Sequence, residues 1–189
     1  YATAWSNTGT TPAMTCEGTK ADCSRAFDIG YERLSGRAMV VYADTTNQKL
    51  YYALWDGTAW SPNATPGTPG ATNEIALSSN GRPTFVSLKP KGGSNEIIMA
   101  VGIDVGGVME VEAYRWTGSA WTDQNVVTAT TNASTQGLNQ GAVFDVEWED
   151  STGDAIVVYA TAATVYMKYK LLPSGGAWGT ERDAFDTPV

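Results

Sequence analysis

The sequence predicts an all-β protein made of about three antiparallel, four-stranded, propeller-like blades, with almost no helix. Three observations lead to this prediction. The chain contains an internal repeat, its short runs of β-branched and aromatic residues are separated by turn residues, and no stretch has a 3.6-residue apolar periodicity. With 189 residues, the chain is long enough to bury a core of its own.

The internal repeat is clearest in two segments that align without a gap. Residues 27–43 have the sequence FDIGYERLSGRAMVVYA, and residues 144–160 have the sequence FDVEWEDSTGDAIVVYA. A second motif, WDGTAW at 55–60, recurs as WTGSAW at 116–121 and more loosely as SGGAW at 174–178. A divergent copy lies between the matching segments. These repeats divide one continuous domain into an N-terminal strand and loop and three repeat units, at 1–23, 24–62, 82–124 and 141–181.

Each repeat unit contains four short strand candidates, and the turn between the first two of them is polar and bears glycine. These turns lie at 34–36, 91–94 and 151–153. Glycine adopts a positive φ without steric cost, so each turn is predicted to close a tight hairpin. Longer segments rich in Gly, Thr, Asn and Pro connect the units. Three four-stranded units are fewer than the four to eight blades that close a propeller.

Composition and charge exclude several classes of function. Charged residues make up 17% of the chain, and 12 basic residues against 20 acidic ones give a net charge of -8. This balance disfavours nucleic acid and anionic membrane surfaces as partners. The sequence contains no histidine, which excludes a His-dependent triad and a His-ligated zinc site. No apolar run approaches the roughly 18–20 residues that span a bilayer, so we expect no membrane insertion.

The repeat motifs give the chain a resemblance to known proteins. The patterns FDxxYExxSGxAxVVYA and WDGxxW resemble tandem propeller-like repeats of secreted and surface-attached bacterial proteins, a largely uncharacterised family. The element at 55–60 is also similar to the Asp-box of sialidase-like propellers and to the tryptophan-bearing loops of propeller lectins. The aspartate of that box is missing at 116–121 and at 174–178. The resemblance implies a β-repeat fold outside the cell, without a known activity.

The tryptophan motifs supply the candidate binding residues. An exposed tryptophan can stack on the apolar face of a sugar ring, whereas a buried one supplies the large apolar surface that a packed core requires. Recurrence of the tryptophan pairs with the repeat favours packing. In the alternative interpretation, three quasi-equivalent carbohydrate sites would lie between the units, near Trp55, Trp116 and Trp178. Their binding residues would be Trp55, Asp56, Trp60, Trp116, Trp121 and Trp178.

Acidic residues alternate with apolar ones in both matching segments. Asp28 and Glu32 in the first unit, and Asp145, Glu147 and Glu149 in the third, are predicted to lie on one face of a strand. Two such carboxylates can form the acid/base pair of a glycosidase. Their presence in both repeats instead favours a shared structural role. With no arginine cluster and no phosphate-binding loop beside them, we expect no catalytic residues, no cofactor and no metal.

The two cysteines and two asparagine sequons bear on location. Cys16 and Cys23 lie in a loop rich in Gly, Thr and Asp, at a spacing that can close a small disulfide; the alternative is two free thiols. A disulfide implies an extracellular or cell-surface location. Asn63 and Asn132 begin glycosylation sequons in predicted linkers. The oxygen-rich turn at 149–154 leaves open a single Ca²⁺ site.

These features predict a non-enzymatic extracellular module that serves structure, adhesion or self-assembly. The N-terminal residues resemble the last strand of a unit, and this orphan strand must pair with an edge of its own last unit or of a neighbouring chain. We expect self-association through β-edges, because few charged residues guard them. The alternative function is a carbohydrate-binding propeller lectin, with glycans as partners. The proposed assembly strand comprises Tyr1, Ala2, Thr3, Ala4 and Trp5.

Overall fold

The computed structural model describes residues 25–44, 49–61, 73–106, 108–131, 143–160 and 167–185, and the side chains of all of these except 123–131. Over these ranges the protein is all-β and contains no helix, as the sequence predicts. A search of the same residues for a helix with the length and apolarity to cross a membrane finds none.

The described strands form three antiparallel sheets, each with four strands hydrogen-bonded in chain order. The first sheet contains β1 (Phe27–Tyr31), β2 (Ala38–Asp44), β3 (Lys49–Trp55) and β4 (Trp60–Ser61), and β5 (Glu74–Ile75) also pairs with β3. The second sheet contains β6 (Arg82–Pro90), β7 (Ile97–Val105), β8 (Val108–Trp116) and β9 (Trp121–Thr131). The third sheet contains β10 (Phe144–Trp148), β11 (Ala155–Ala160), β12 (Met167–Leu172) and β13 (Arg182–Asp183). The prediction of antiparallel four-stranded sheets is therefore confirmed.

The turn between the first two strands is built alike in every sheet. In each turn one backbone hydrogen bond of 2.8–2.9 Å joins the first residue to the sixth: Glu32 to Arg37, Lys91 to Glu96, and Glu149 to Asp154. Each turn holds a glycine with a positive φ, as predicted: Gly36 at 75°, Gly93 at 64° and Gly153 at 74°. Because the turns have equal length, they fix which residues are equivalent. Tyr31, Pro90 and Trp148 occupy the same position in the three sheets.

The second sheet lies between the other two. Its strand β7 is buried on both faces, because Ile97, Met99 and Val101 belong to the core shared with the first sheet. Ile98 and Ala100, which point the other way, belong to the core shared with the third sheet. A strand covered on both faces has an apolar residue at every position, which explains the run IIMAV.

Two glycines lie at close contacts between the sheets. A Cβ atom at Gly102 of β7 would lie 2.9 Å from Cε1 of Phe144 in the third sheet. A Cβ atom at Gly30 of β1 would lie 3.0 Å from Cγ of Pro90 in the second sheet. Glycine at these two positions therefore allows the three layers to stack.

The first strands of the three sheets lie side by side. Strand β1 contacts β6, and β10 contacts both β6 and β7. The backbone N–H of Val86 in β6 donates a hydrogen bond of 3.1 Å to the carbonyl oxygen of Arg25, just before β1. Each sheet therefore meets the next along its first strand as well as face to face.

Candidate functional site

The two matching repeats bury opposite faces of their first strand. In β1 the carboxylate face is covered by the second sheet, so Asp28 and Glu32 are buried. The apolar side chains point away from the second sheet and are exposed, at 44% for Phe27 and 54% for both Ile29 and Tyr31. The predicted alternation is present, but the aromatic side is the outer one.

The third sheet has the reverse arrangement. The equivalents of the exposed apolar residues, Phe144, Val146 and Trp148, are 6%, 1% and 8% exposed and pack against the second sheet. The carboxylates Asp145 and Glu147 project outward. This reversal arises because each sheet turns the same face toward its predecessor. The apolar face of the first sheet has no preceding sheet among the described residues to cover it.

The outer face of the first sheet is rich in aromatic side chains. Directly opposite residues of antiparallel strands share a face, and the register pairs Phe27 with Tyr42, Ile29 with Val40, and Ala38 with both Tyr31 and Trp55. Trp55 is in turn opposite Trp60, and their ring centroids are 5.5 Å apart. We define the outer face of the first sheet as Phe27, Ile29, Tyr31, Val40, Tyr42, Trp55 and Trp60.

The second tryptophan pair lies inside the molecule. Trp116 is 2% exposed. Its ring centroid lies 5.6 Å from that of Trp121 and 5.4 Å from that of Tyr52 in the first sheet. The Nε1–H of Trp116 donates a hydrogen bond of 2.7 Å to Glu32. Trp178 is half-buried and packs on the core between the second and third sheets. Of the tryptophans named as candidate carbohydrate-binding residues, only Trp55 and Trp60 therefore lie on an outer face.

Asp56 closes a turn instead of facing this surface as a free acceptor. Its Oδ1 accepts hydrogen bonds from the hydroxyl and N–H of Thr58, at 2.7 and 2.8 Å, and from the N–H of Ala59 at 2.8 Å. These bonds, led by that from the Thr58 hydroxyl, lower the pKa of Asp56 to about 2. Thr117 bonds to Ala120 in the equivalent turn, so the missing aspartate is replaced by a hydroxyl.

Glu32 joins the first and second sheets. Besides Trp116, its carboxylate accepts hydrogen bonds of 2.7 and 2.8 Å from the guanidinium group of Arg37 and a further one from the hydroxyl of Ser35. Burial raises the pKa of Glu32, but the hydrogen bonds from Arg37, Ser35 and Trp116 outweigh it, so the pKa lies below its ordinary value. Glu32 is therefore an ionised, fully engaged structural group.

Asp28 and Asp145 line a cleft of about 740 Å³ where β1, β6 and β10 meet. Asp28 pairs with Arg25 and accepts a hydrogen bond of 2.8 Å from the backbone N–H of Leu88. Asp145 accepts one of 2.8 Å from the hydroxyl of Ser87. Both aspartates also bond the backbone N–H of the residue that follows them, at 2.9 Å. The expected structural role is thus visible in the contacts of each.

The acidic turn at 149–154 is held by its own backbone. Glu149 accepts hydrogen bonds from the hydroxyl and N–H of Ser151 and from the N–H of Thr152, and these lower its pKa to about 2. Asp154 accepts a hydrogen bond of 2.8 Å from the N–H of Ser174. Within the described ranges, no three Asp, Glu, His or Cys side chains are grouped so that they could hold a metal ion.

One of the buried acids that the sequence-based predictions missed is Glu112 of β8. It is completely buried and accepts hydrogen bonds from the hydroxyls of Ser78 and Ser79, at 2.5 and 3.1 Å, and from the hydroxyl of Tyr114. A glutamate on the same strand face as Tyr114 and Trp116 was the available signal. Glu112 fixes the segment before β6 onto the second sheet.

Several predicted residues lie outside the part of the chain that the structure describes. These are the cysteine pair, the N-terminal strand and the two sequon asparagines: Cys16, Cys23, Tyr1, Ala2, Thr3, Ala4, Trp5, Asn63 and Asn132. The predictions that concern them rest on the sequence alone.

Comparison with known proteins does not assign the chain to a family. It matches no protein-family model, and no curated protein is significantly similar to it. The resemblance to bacterial surface repeats therefore stays a prediction from the motifs.

Proposed function

We propose that the chain is a non-enzymatic, extracellular structural module that assembles through its β repeats. The observation that carries this proposal is the outer face of the first sheet. Phe27, Ile29 and Tyr31 are exposed there, although the equivalent side chains of the third sheet are core residues. An exposed apolar patch of this kind is typical of an interaction surface.

We further propose that the three sheets are blades of a propeller-like array. Two observations support this: the sheets stack face to face in chain order, and their first strands adjoin around one cleft. Three sheets fall short of the four to eight blades that close a propeller. An array of three sheets has an exposed face at each end, and each of these faces requires a further sheet to bury it.

The contacts of the acidic residues favour a structural function over catalysis. A glycosidase needs one carboxylate to act as an acid and another as a nucleophile or base beside the substrate. Glu32 is occupied by three side-chain donors, and Asp28 is paired with Arg25. The proposed extracellular location rests on Cys16 and Cys23 and on the motif resemblance.

Light scattering over a range of protein concentrations tests the proposal. We expect particles larger than one chain of 20.1 kDa, with a mass that falls on dilution. Deleting residues 1–5 distinguishes assembly through the N-terminal strand from assembly through the sheet faces. A mass of one chain at all concentrations would contradict the proposal.

A second candidate function, carbohydrate binding, is favoured by one specific observation. Trp55 and Trp60 lie next to each other on the outer face, and Trp60 is exposed, so its ring is available to stack on a sugar. Glycan-array binding together with quenching of tryptophan fluorescence tests this. We expect Trp60→Phe to abolish quenching, while Trp121→Phe, in the inner pair, serves as the matched control. Absence of any glycan signal would remove this candidate.

A further inference from the structure

We propose that the outer face of the first sheet binds the outer face of the third sheet of a second copy of the chain. This inference rests on the proposed function, because it specifies how the module assembles. We define the outer face of the third sheet as Asp145, Glu147, Ile156, Val158, Ala160 and Tyr169, which share one side of β10, β11 and β12.

The first argument is that each outer face already has a buried equivalent in the same molecule. In the first sheet, the equivalents of Ile156, Val158 and Ala160 are core residues packed against the second sheet. These equivalents are Met39, Val41 and Ala43. In the third sheet, the equivalents of the outer-face residues Phe27, Ile29, Tyr31, Val40 and Tyr42 are buried against the second sheet: Phe144, Val146, Trp148, Val157 and Tyr159. Both faces therefore have the sequence pattern of one half of an inter-sheet contact.

The second argument is that the two outer faces are complementary in the same way as the two faces that meet between the first and second sheets. The contact between the first and second sheets joins a carboxylate-bearing face to an apolar, aromatic face, with Glu32 accepting the N–H of Trp116. The residue equivalent to Glu32 in the third sheet is Glu149, and the residue equivalent to Trp116 in the first sheet is Trp55. Stacking of two copies would bring Glu149 and Trp55 together across the new contact.

A further pair follows from the same equivalence. Gly30 of the first sheet lies against Pro90 of the second. The equivalent of Gly30 is Glu147, and the equivalent of Pro90 is Tyr31. Glu147 and Tyr31 are larger than Gly30 and Pro90, so the two sheets must lie farther apart at this point than the first and second sheets do. At that spacing the phenol of Tyr31 can donate a hydrogen bond to the carboxylate of Glu147, which also lies 3.7 Å from Nζ of Lys89.

The contact is heterologous, because it joins two different faces of the same chain. An assembly built by such contacts closes into a ring when both outer faces of every copy are in contact. Two copies related by a two-fold axis would form a ring of six sheets, which lies within the range of four to eight blades in propellers. We therefore infer a closed pair of chains.

Two substitutions, one on each face, test this inference by light scattering. Ile29→Asp places a charge on the outer face of the first sheet, and Val158→Asp places one on the outer face of the third. We expect wild-type protein to form pairs and each variant alone to be a single chain. An equimolar mixture of the two variants should form mixed pairs through one intact contact, because each variant retains the face that the other lacks. These mixed pairs should be weaker than wild-type pairs, because their second contact joins the two substituted faces. Restoration on mixing also shows that both variants are folded.

Control and conservative variants sharpen the test. Leu34→Asp serves as the control, because Leu34 is an exposed apolar residue that lies outside both outer faces. The backbone of its turn bonds to Ser94 in the second sheet, so this variant should leave the pairs intact. Tyr169→Asp is a second variant on the outer face of the third sheet, and like Val158→Asp it should be a single chain. Trp55→Phe should weaken pairing about tenfold, through loss of one hydrogen bond to a carboxylate.

The outcomes separate this inference from the proposed function. Single chains at every concentration would overturn both. Oligomers that neither Ile29→Asp nor Val158→Asp disrupts would overturn the face-to-face contact and leave assembly through residues 1–5. Pairs that persist with Val158→Asp alone would show a contact between two first sheets instead, and a mass that rises without limit would overturn the closed ring.

Discussion

The first and third sheets begin with nearly the same sequence and the same turn, yet they bury opposite sides of it. In the first sheet the second sheet covers Asp28 and Glu32, and in the third it covers Phe144 and Trp148. An alternating strand has two faces, and the alternation alone does not determine which one a neighbour covers. The comparison teaches that the same repeat sequence can be covered on either face, and the middle sheet is covered on both.

The differences between the two repeats follow this change of environment. Gly30 leaves room for Pro90, whereas its equivalent Glu147 projects outward and has no such constraint. Arg37 neutralises the buried Glu32, whereas its equivalent Asp154 bonds to the backbone of Ser174 at the surface. These two positions thus differ in how they contact the second sheet. Gly30 packs against Pro90, whereas Glu147 reaches Lys89 only with its carboxylate, at 3.7 Å. Arg37 donates a hydrogen bond to the carbonyl oxygen of Gly118, whereas Asp154 accepts one from Ser174.

The largest expected effect contrasts Trp148→Ala with Tyr31→Ala. Trp148 is buried and donates a hydrogen bond of 2.8 Å to the carbonyl oxygen of Lys89, so its removal should lower the free energy of unfolding by about 3–5 kcal/mol. Tyr31 is exposed in the single chain, and its removal should cost less than about 0.5 kcal/mol in dilute protein. Urea unfolding measures both. Equal losses of unfolding free energy at the two positions would contradict the claim that the two repeats bury opposite faces.

A smaller effect is expected at the equivalent glutamates. Glu32→Ala leaves the Arg37 guanidinium and the Trp116 indole without their acceptor, which should cost about 2–3 kcal/mol of unfolding free energy. Glu149→Ala removes acceptors of an exposed turn and should shift the urea midpoint much less. The conservative variant Glu32→Gln should fall between the two. A Glu149→Ala loss as large as that of Glu32→Ala would contradict the different roles.

The smallest effect is a pH dependence specific to Glu32. Its pKa in the folded chain lies below the ordinary value of 4.5, so its contribution to stability is complete above that value and is lost as the pH falls through the folded pKa. Urea midpoints of the wild-type chain should therefore fall more steeply than those of Glu32→Gln between roughly pH 5 and pH 3. Parallel pH profiles would show that Glu32 does not contribute in this way.

The strands of the three repeat units and their glycine turns could be predicted from the sequence, because their signals are local. Strand β5 could not, since it lies in a segment predicted to be a linker. Period-2 alternation and a glycine with positive φ depend on neighbours in the chain. The location of Trp55 and Trp116 could not be predicted, because the same motif is covered by another sheet in one repeat and is part of an outer face in the other. The network around Glu112 was also missed, since it depends on Ser78 and Ser79, which are distant in the sequence.

The most direct test of the central claim is hydroxyl-radical footprinting, with mass spectrometry comparing Phe27 with Phe144 and Tyr31 with Trp148. The reversal of faces predicts that Phe27 and Tyr31 are oxidised in dilute protein while Phe144 and Trp148 are protected. It also predicts that Phe27 and Tyr31 become protected as the concentration rises and the pairs form. Equal oxidation within each pair of equivalent residues in dilute protein would contradict the claim that the two repeats bury opposite faces.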